Sequence, residues 1–382
     1  MSPRAVRVFS AELHIGLIHN FVSLELERYE LQVEDVCLSG HWPLVYPEDP
    51  TRRWWTLRQL RGHFQYAWPY SYDLFERWAR GMRLVHGRYF ARKVDFVYVS
   101  FPAPLFHLYR HLDVKILLQV SFRLGGLMDS PDLPRLIELL QELHAAGRLV
   151  LLASNEYDRR HVKYLTGLDC EVASVDCNYY GHLDYRPEPG LPALAGPLRL
   201  SAGGNTLLPA IRAAVGRPLP TMREAYPHDA RHIHDRLRRH ACIVMLPYSV
   251  HCISISECLR SNIPLLFPSH RLLSRWHADH QLISERRSAL RHGRTHLPLT
   301  PSGLGTMPDP EDDLDEAAAS WWLRLCDWYA WPVVLFDDVE ELTDQLETTD
   351  FAAVSERMRA FNHAEKARNA EVWSAAIQRL LG

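Results

Sequence analysis

The stretch CIVMLPYSVHCISISECLRSNIPLLFPS, residues 242–269, decides the fold. Its first five residues are apolar, as suits a strand buried on both faces. The chain then turns through Pro247-Tyr248-Ser249. A helix is predicted over residues 252–261, and a second buried strand over 263–267, after Asn262-Ile263-Pro264. Strand, helix and strand in this order make a βαβ unit with parallel strands. Ligands of open α/β sheets bind at the carboxyl ends of the strands. The turn here sets backbone N–H groups and the side chains of Tyr248, Ser249, His251, Ser254 and Ser256 around a helix N-terminus, where a phosphate is well accommodated. Glu257 stands about one and a half turns into the helix, in reach of ribose hydroxyls. An ordinary crossover with a buried Glu fits the same residues.

The pattern repeats outward. Upstream, 198–200 reads as a strand and 206–214 as a helix, with Gly203-Gly204-Asn205-Thr206 between them. Two glycines before a helix admit a phosphate, although the Lys and spacing of a Walker loop are missing. Residues 185–197, YRPEPGLPALAGP, read as a linker. Before it, strands are expected at 6–10, 33–38, 95–100, 114–120, 148–153 and 171–175, and helices at 17–29, 72–84, 103–110, 134–146 and 156–165. Residues 40–80 are rich in Trp, Tyr, Arg and Pro and read as an insertion. Downstream come a long loop at 290–312, a helix at 321–329, a strand at 333–336 and terminal helices from 351. The expected fold is α/β, with two Rossmann-like domains at 1–190 and 191–350, a cleft between them, and a C-terminal helix at 351–382 that packs back on the first domain.

Composition narrows the function. The 382 residues are 47% hydrophobic and 23% charged, within the globular range. The net charge of -3 gives no case for nonspecific nucleic-acid binding. Seven scattered cysteines without a C-x-x-C pair fit reduced thiols in the cytoplasm. No apolar run is long enough to span a bilayer. His277 and His280 sit three apart on an expected helix, but nothing completes a ligand set, so no metal site is expected.

The run Glu257 to Ser269, E-x5-I-P-L-x-x-P-S, resembles the donor-site motif of GT-B glycosyltransferases. In that motif an acidic helix residue holds the nucleotide ribose. Asn262 replaces the usual Gly. The second acidic residue of retaining enzymes would fall on Ser249, a departure that argues for an inverting outcome. Tyr226-Pro227-His228, Pro247-Tyr248-Ser249 and Ser254-Ile255-Ser256-Glu257 are similar, in order, to a group of glycosyltransferase-like proteins from large DNA viruses, algae and bacteria. The same holds for Glu12-Leu13-His14, Arg123 and Asn155-Glu156-Tyr157-Asp158 in the first half.

The resemblance implies a transferase that moves a sugar from a UDP-, GDP- or TDP-sugar to a glycan, lipid-linked or small-molecule acceptor, with no cofactor and no metal. It implies donor contacts from Gly204, Asn205, Tyr226, His228, Tyr248, Ser249, His251, Ser254, Ser256 and Glu257. It implies a base on the loop after the first strand, where His14 is preferred over His19 and Glu12 orients or replaces it. Arg123, Asn155 and Tyr157 are the acceptor candidates. From the residues alone, His14 caps a helix equally well, as do Ser154 and Asn155. The Trp/Arg-rich insertion reads as a sugar-stacking lid, a membrane-surface patch or packed structure. A sugar-nucleotide epimerase and a non-catalytic nucleotide- or carbohydrate-binding protein are the alternatives.

Overall fold

The computed structural model describes residues 3–40, 42–44, 46–66, 71–124, 132–197, 200–227, 233–283, 307–310, 312 and 315–382. They form two compact units. Unit 1 is Met1–Ser174, Ser288–Met307 and Arg368–Gly382, and unit 2 is Val175–Arg287 and Pro308–Ala367.

Unit 1 is built on six parallel strands: β1 (Arg4–Ser10), β2 (Tyr29–Asp35), β3 (Phe96–Val99), β4 (Lys115–Val120), β5 (Leu149–Ala153) and β6 (Glu171–Val172). Their order is β2-β1-β3-β4-β5-β6. The chain moves from β1 outward to β2, then crosses to β3 on the other side of β1. The carboxyl ends of β1 and β3 therefore flank a topological switch point, the expected ligand position in such a sheet. Every residue of the central β3 is buried, whereas the edge strand β2 alternates along Tyr-Glu-Leu-Gln-Val-Glu-Asp. That alternation puts β2 earlier than the expected 33–38, because an edge strand needs only one apolar face. The preceding helix, α1 (Ile15–Val22), accordingly stops short of the expected residue 29.

The insertion is largely helical. It holds α2 (Trp55–Tyr66) and the start of α3 (Tyr72–Lys93), which buries Phe75, Ala79, Met82 and Phe90. Two further helices, α4 (Leu133–Ala145) and α5 (Glu156–Thr166), follow β4 and β5.

Unit 2 has four parallel strands: β7 (Leu194–Gly196), β8 (Ile243–Met245), β9 (Leu265–Pro268) and β10 (Val334–Phe336), in the order β10-β9-β8-β7. Its helices include α6 (Ala202–Val215), α7 (Met222–Ala225), α8 (Ile233–Leu237), α9 (Ile253–Arg260) and α10 (His270–His280). The βαβ unit read from residues 242–269 is β8-α9-β9, with β8 and β9 paired in parallel. β7 lies inside the segment read as a linker, not at 198–200, of which 198 and 199 lie outside the described residues. Pro192, Gly196 and Pro197 hide it. Gly196 is there for packing, since a Cβ would come within 2.7 Å of Met222 and 2.9 Å of Ile243 and Met245.

A terminal helix, Phe351–Leu381, begins in unit 2 and ends in unit 1. Its Trp373, Ala376, Ile377 and Leu380 join Val6, Val8, Ile18, Phe21, Phe96 and Tyr98 in one core. The expected loop at 290–312 lies largely outside the described residues.

Candidate functional site

In unit 2, β7 and β8 end side by side, with Gly196 opposite Met245 and the Leu246 amide bonded to the Gly196 carbonyl at 2.8 Å. The chain between β8 and α9 leaves from this carboxyl edge. Ser249 is 3% exposed, and its Oγ accepts from the His251 amide at 3.4 Å. The Cys252 thiol donates to the Ser249 carbonyl at 3.4 Å. His251 and Ser256 are buried, while Tyr248 and Ser254 are half-buried. Both bonds lie within the turn before the helix.

Glu257 sits in a polar contact set. Its Oε1 accepts from the Tyr179 hydroxyl at 2.9 Å and its Oε2 from His234 Nε2 at 3.1 Å. The side chain keeps 17% exposure. A carboxylate offers about four acceptor sites, so each oxygen retains capacity beyond the one bond it takes among the described residues. Tyr180 lies 4.1 Å, ring to ring, from His234. Burial pushes the Tyr179 hydroxyl and the nearby Cys177 thiol well above their ordinary values. Tyr179 and His234 escape a reading of the sequence. They lie 78 and 23 positions from Glu257, and no spacing signal links them.

Several donor candidates serve structure instead. The Gly204 amide is taken by Ser201 Oγ at 2.9 Å, a helix cap that uses a first-turn donor a phosphate would need. A Cβ on Gly203 would sit 2.0 Å from the His280 carbonyl oxygen, so the glycine pair permits close packing of α6 against the end of α10. Asn205 is exposed. Tyr226 is corrected outright. Its hydroxyl bonds His240 Nε2 at 2.6 Å, and His240 Nδ1 bonds the Pro192 carbonyl at 2.6 Å. Both partners precede their strands, so Tyr226 lies at the amino edge of the sheet, opposite the ligand edge. His228 lies outside the described residues.

In unit 1, Glu12 is fully buried and accepts from the Ser100 and Phe101 amides at 2.7 and 2.6 Å. Burial pushes its carboxyl well above the carboxylate range, against the pull of those two amides. Glu12 ties the end of β1 to the end of β3 and fills the switch point. It is neither an accessible base nor an orienting partner for His14, and this corrects its expected role.

His14 is exposed at the same edge, and it is the N-cap of α1. Its Nδ1 accepts from the Gly16 amide at 3.2 Å. A backbone N–H can only donate, so the neutral ring carries its hydrogen on Nε2. Proton abstraction would therefore fall to Nδ1 after it leaves Gly16. His19 is half-buried in the last turn of α1.

Asp35 closes β2 nearby and accepts from the Tyr46 hydroxyl. Burial raises Asp35 to about 6. A carboxyl raised on folding adds stability that is full below its unfolded value and is lost as pH rises through its folded value. Asp35→Asn should therefore gain stability relative to wild type between about pH 4 and 6, by up to about 3 kcal/mol. Urea unfolding across that range reads the difference, and parallel curves would remove Asp35 as the cause.

The acceptor candidates meet at the ends of β4 and β5, but inside the fold. Arg123 is 7% exposed, and its Nε donates to the Tyr157 hydroxyl at 2.9 Å. Asn155 caps α5 by accepting from the Asp158 amide at 2.7 Å. Asn155 and Tyr157 are each 1% exposed. Beside them, burial and then Arg123 hold His161 well below its ordinary value. These side chains build the wall of the sheet edge more than its surface.

Among the described residues, no group of three or more His, Cys, Asp or Glu side chains is placed to hold a metal ion. His277 Nδ1 instead accepts from the Ile283 amide at 3.1 Å.

The strands and edges define two parallel α/β units, each carrying polar side chains at its carboxyl edge. No family model and no curated protein matches the chain. Among solved structures, it is similar to a "Glycotransferase of kitacinnamycin" at 12% identity and TM-score 0.46, covering 100% of this chain and 99% of that one. It is also similar to Acinetobacter baumannii MurG at 11% identity and TM-score 0.40, covering 93% and 94%. Overlaps this loose carry no functional assignment.

Proposed function

We propose that the chain is a metal-independent, inverting glycosyltransferase that uses a nucleotide diphosphate sugar. One observation carries the reading. On α9, directly after the β8 turn, Glu257 presents a carboxylate that two neighbours hold in place and that keeps acceptor capacity, as recognition of a ribose diol requires. The resemblance of residues 257–269 to GT-B donor sites points the same way. In this reading the diphosphate lies against the β8–α9 turn, with Tyr248, Ser249, His251 and Ser254 around it. In unit 1, His14 takes the proton of an acceptor hydroxyl as its oxygen attacks the anomeric carbon. The bond to the diphosphate breaks, and the leaving group departs with the electron pair. Arg123, Asn155 and Tyr157 shape the acceptor edge from beneath.

The engagement of His14 Nδ1 by Gly16 favours a second reading, nucleotide binding without transfer. Donor turnover with UDP-, GDP- and TDP-sugars separates the two. Glu257→Ala should weaken UDP, GDP or TDP binding by about a hundredfold, the loss of two charge-assisted hydrogen bonds. Calorimetry measures it, with Glu257→Gln as a companion that keeps a partner for Tyr179. Unchanged affinity in both variants removes the ribose assignment.

A further inference from the structure

Residues 51–93 hold ten arginines and lysines against two acidic residues, in a chain whose net charge is -3. The structure concentrates these cations. On α3, Arg77, Arg80, Leu84 and Arg88 follow at spacings of three and four, which puts them on one face. The buried residues Phe75, Ala79, Met82 and Phe90 lie on the opposite face. Both acidic residues are engaged, Asp73 with Arg135 at 2.9 Å and Glu76 with Arg80, His107 and His111. Among the described residues, Arg77, Arg83, Arg88, Arg92 and Lys93 form no ion pair.

Charge alone would be a solvated face. The apolar side chains set this one apart. Leu84 is 87% exposed, Val85 58% and Trp55 56%, three of the five exposed large hydrophobic residues among those described. α2 packs its first turn on the middle of α3, with Thr56 Oγ1 2.9 Å from Met82 Sδ and a Cβ on Gly81 reaching Thr56 at 3.6 Å. Trp55 and Val85 are thus placed on neighbouring turns of two packed helices.

We propose that this α2–α3 face docks on an anionic lipid surface. Exposed apolar side chains among unpaired cations match an interface where anionic headgroups lie above hydrocarbon. A nucleic-acid backbone would satisfy the arginines but offer nothing to Leu84. No helix among the described residues is long and apolar enough to cross a membrane, so the contact is peripheral. Each cation near an anionic surface strengthens binding by about fivefold.

Flotation of the full chain with vesicles tests this. Vesicles of phosphatidylcholine with phosphatidylglycerol should carry the protein, and vesicles of phosphatidylcholine alone should not. Added salt should release it, because screening weakens the attraction. Arg77→Gln/Arg83→Gln/Arg88→Gln should lose about a hundredfold in affinity. Leu84→Ser/Val85→Ser should lose about tenfold and keep the salt dependence. All five positions are exposed, and circular dichroism checks that folding is unchanged. Equal binding to both vesicle types, unaltered binding of the arginine variant, or capture of a DNA duplex in place of anionic vesicles would overturn the proposal.

Discussion

His14→Asn is expected to lower kcat by about 10²–10⁴-fold while the protein stays as stable as wild type. Asparagine is a good N-cap, so it keeps the bond to the Gly16 amide that His14 Nδ1 now accepts. It cannot accept a proton near neutral pH. The substitution therefore separates the two jobs of one ring. His14→Ala should lose both, with about 1 kcal/mol of stability gone as well. UDP, GDP or TDP affinity should stay unchanged in each variant, because the nucleotide is assigned to unit 2. Initial rates with the accepted donor, alongside urea unfolding, read the two effects separately. Near wild-type turnover in the asparagine variant would reduce His14 to a cap and leave the acceptor without a base.

Trp373→Ala should cost about 3–5 kcal/mol, the usual penalty for emptying a buried indole site. Trp373 is fully buried, 5.4 Å from Phe21 and 6.1 Å from Tyr98, ring to ring, while Phe21 and Tyr98 stack at 4.1 Å. Its Nε1 donor has no hydrogen-bond partner among the described residues. An unpaired buried donor is itself unfavourable by about 1–3 kcal/mol. Trp373→Phe should lose much less than the alanine variant, since both remove the orphan donor and only phenylalanine keeps most of the ring packing. Urea midpoints of the two variants decide it. Equal losses would mean that ring packing at this site does not set the cost.

The sequence made the buried parts of the fold legible and its long-range polar pairs illegible. β8, α9 and β9 fall within residues of their expected places, because a buried parallel strand is a run of apolar residues and Pro264 stops the helix. β2 moved because an edge strand alternates, and its first residues fell between the helix expected to end at 29 and the strand expected from 33. β7 was hidden by the prolines around it. The site shows a sharper limit. Glu12 read as an acid that orients or replaces His14, but its partners are amides 88 and 89 positions away. Glu257 was visible from local spacing, while Tyr179 and His234, which hold it, come from other elements. Arg123 and Tyr157 were each visible at a strand end. Their bond to each other, which turns both inward, depends on tertiary packing that no local pattern encodes.

The terminal helix sets the order in which the molecule matures on the ribosome. Domains generally fold as units while the chain is being made, the N-terminal one first. Unit 1 departs from that rule, because Trp373, Ala376, Ile377 and Leu380 close the core that Val6, Val8 and Phe21 begin. Its sheet is translated early, yet the apolar face that receives those residues stays uncovered until all of unit 2 has emerged. During that interval the nascent chain is a natural client for chaperones. A chain that stopped before Arg368 would lack part of the core of the unit that was made first.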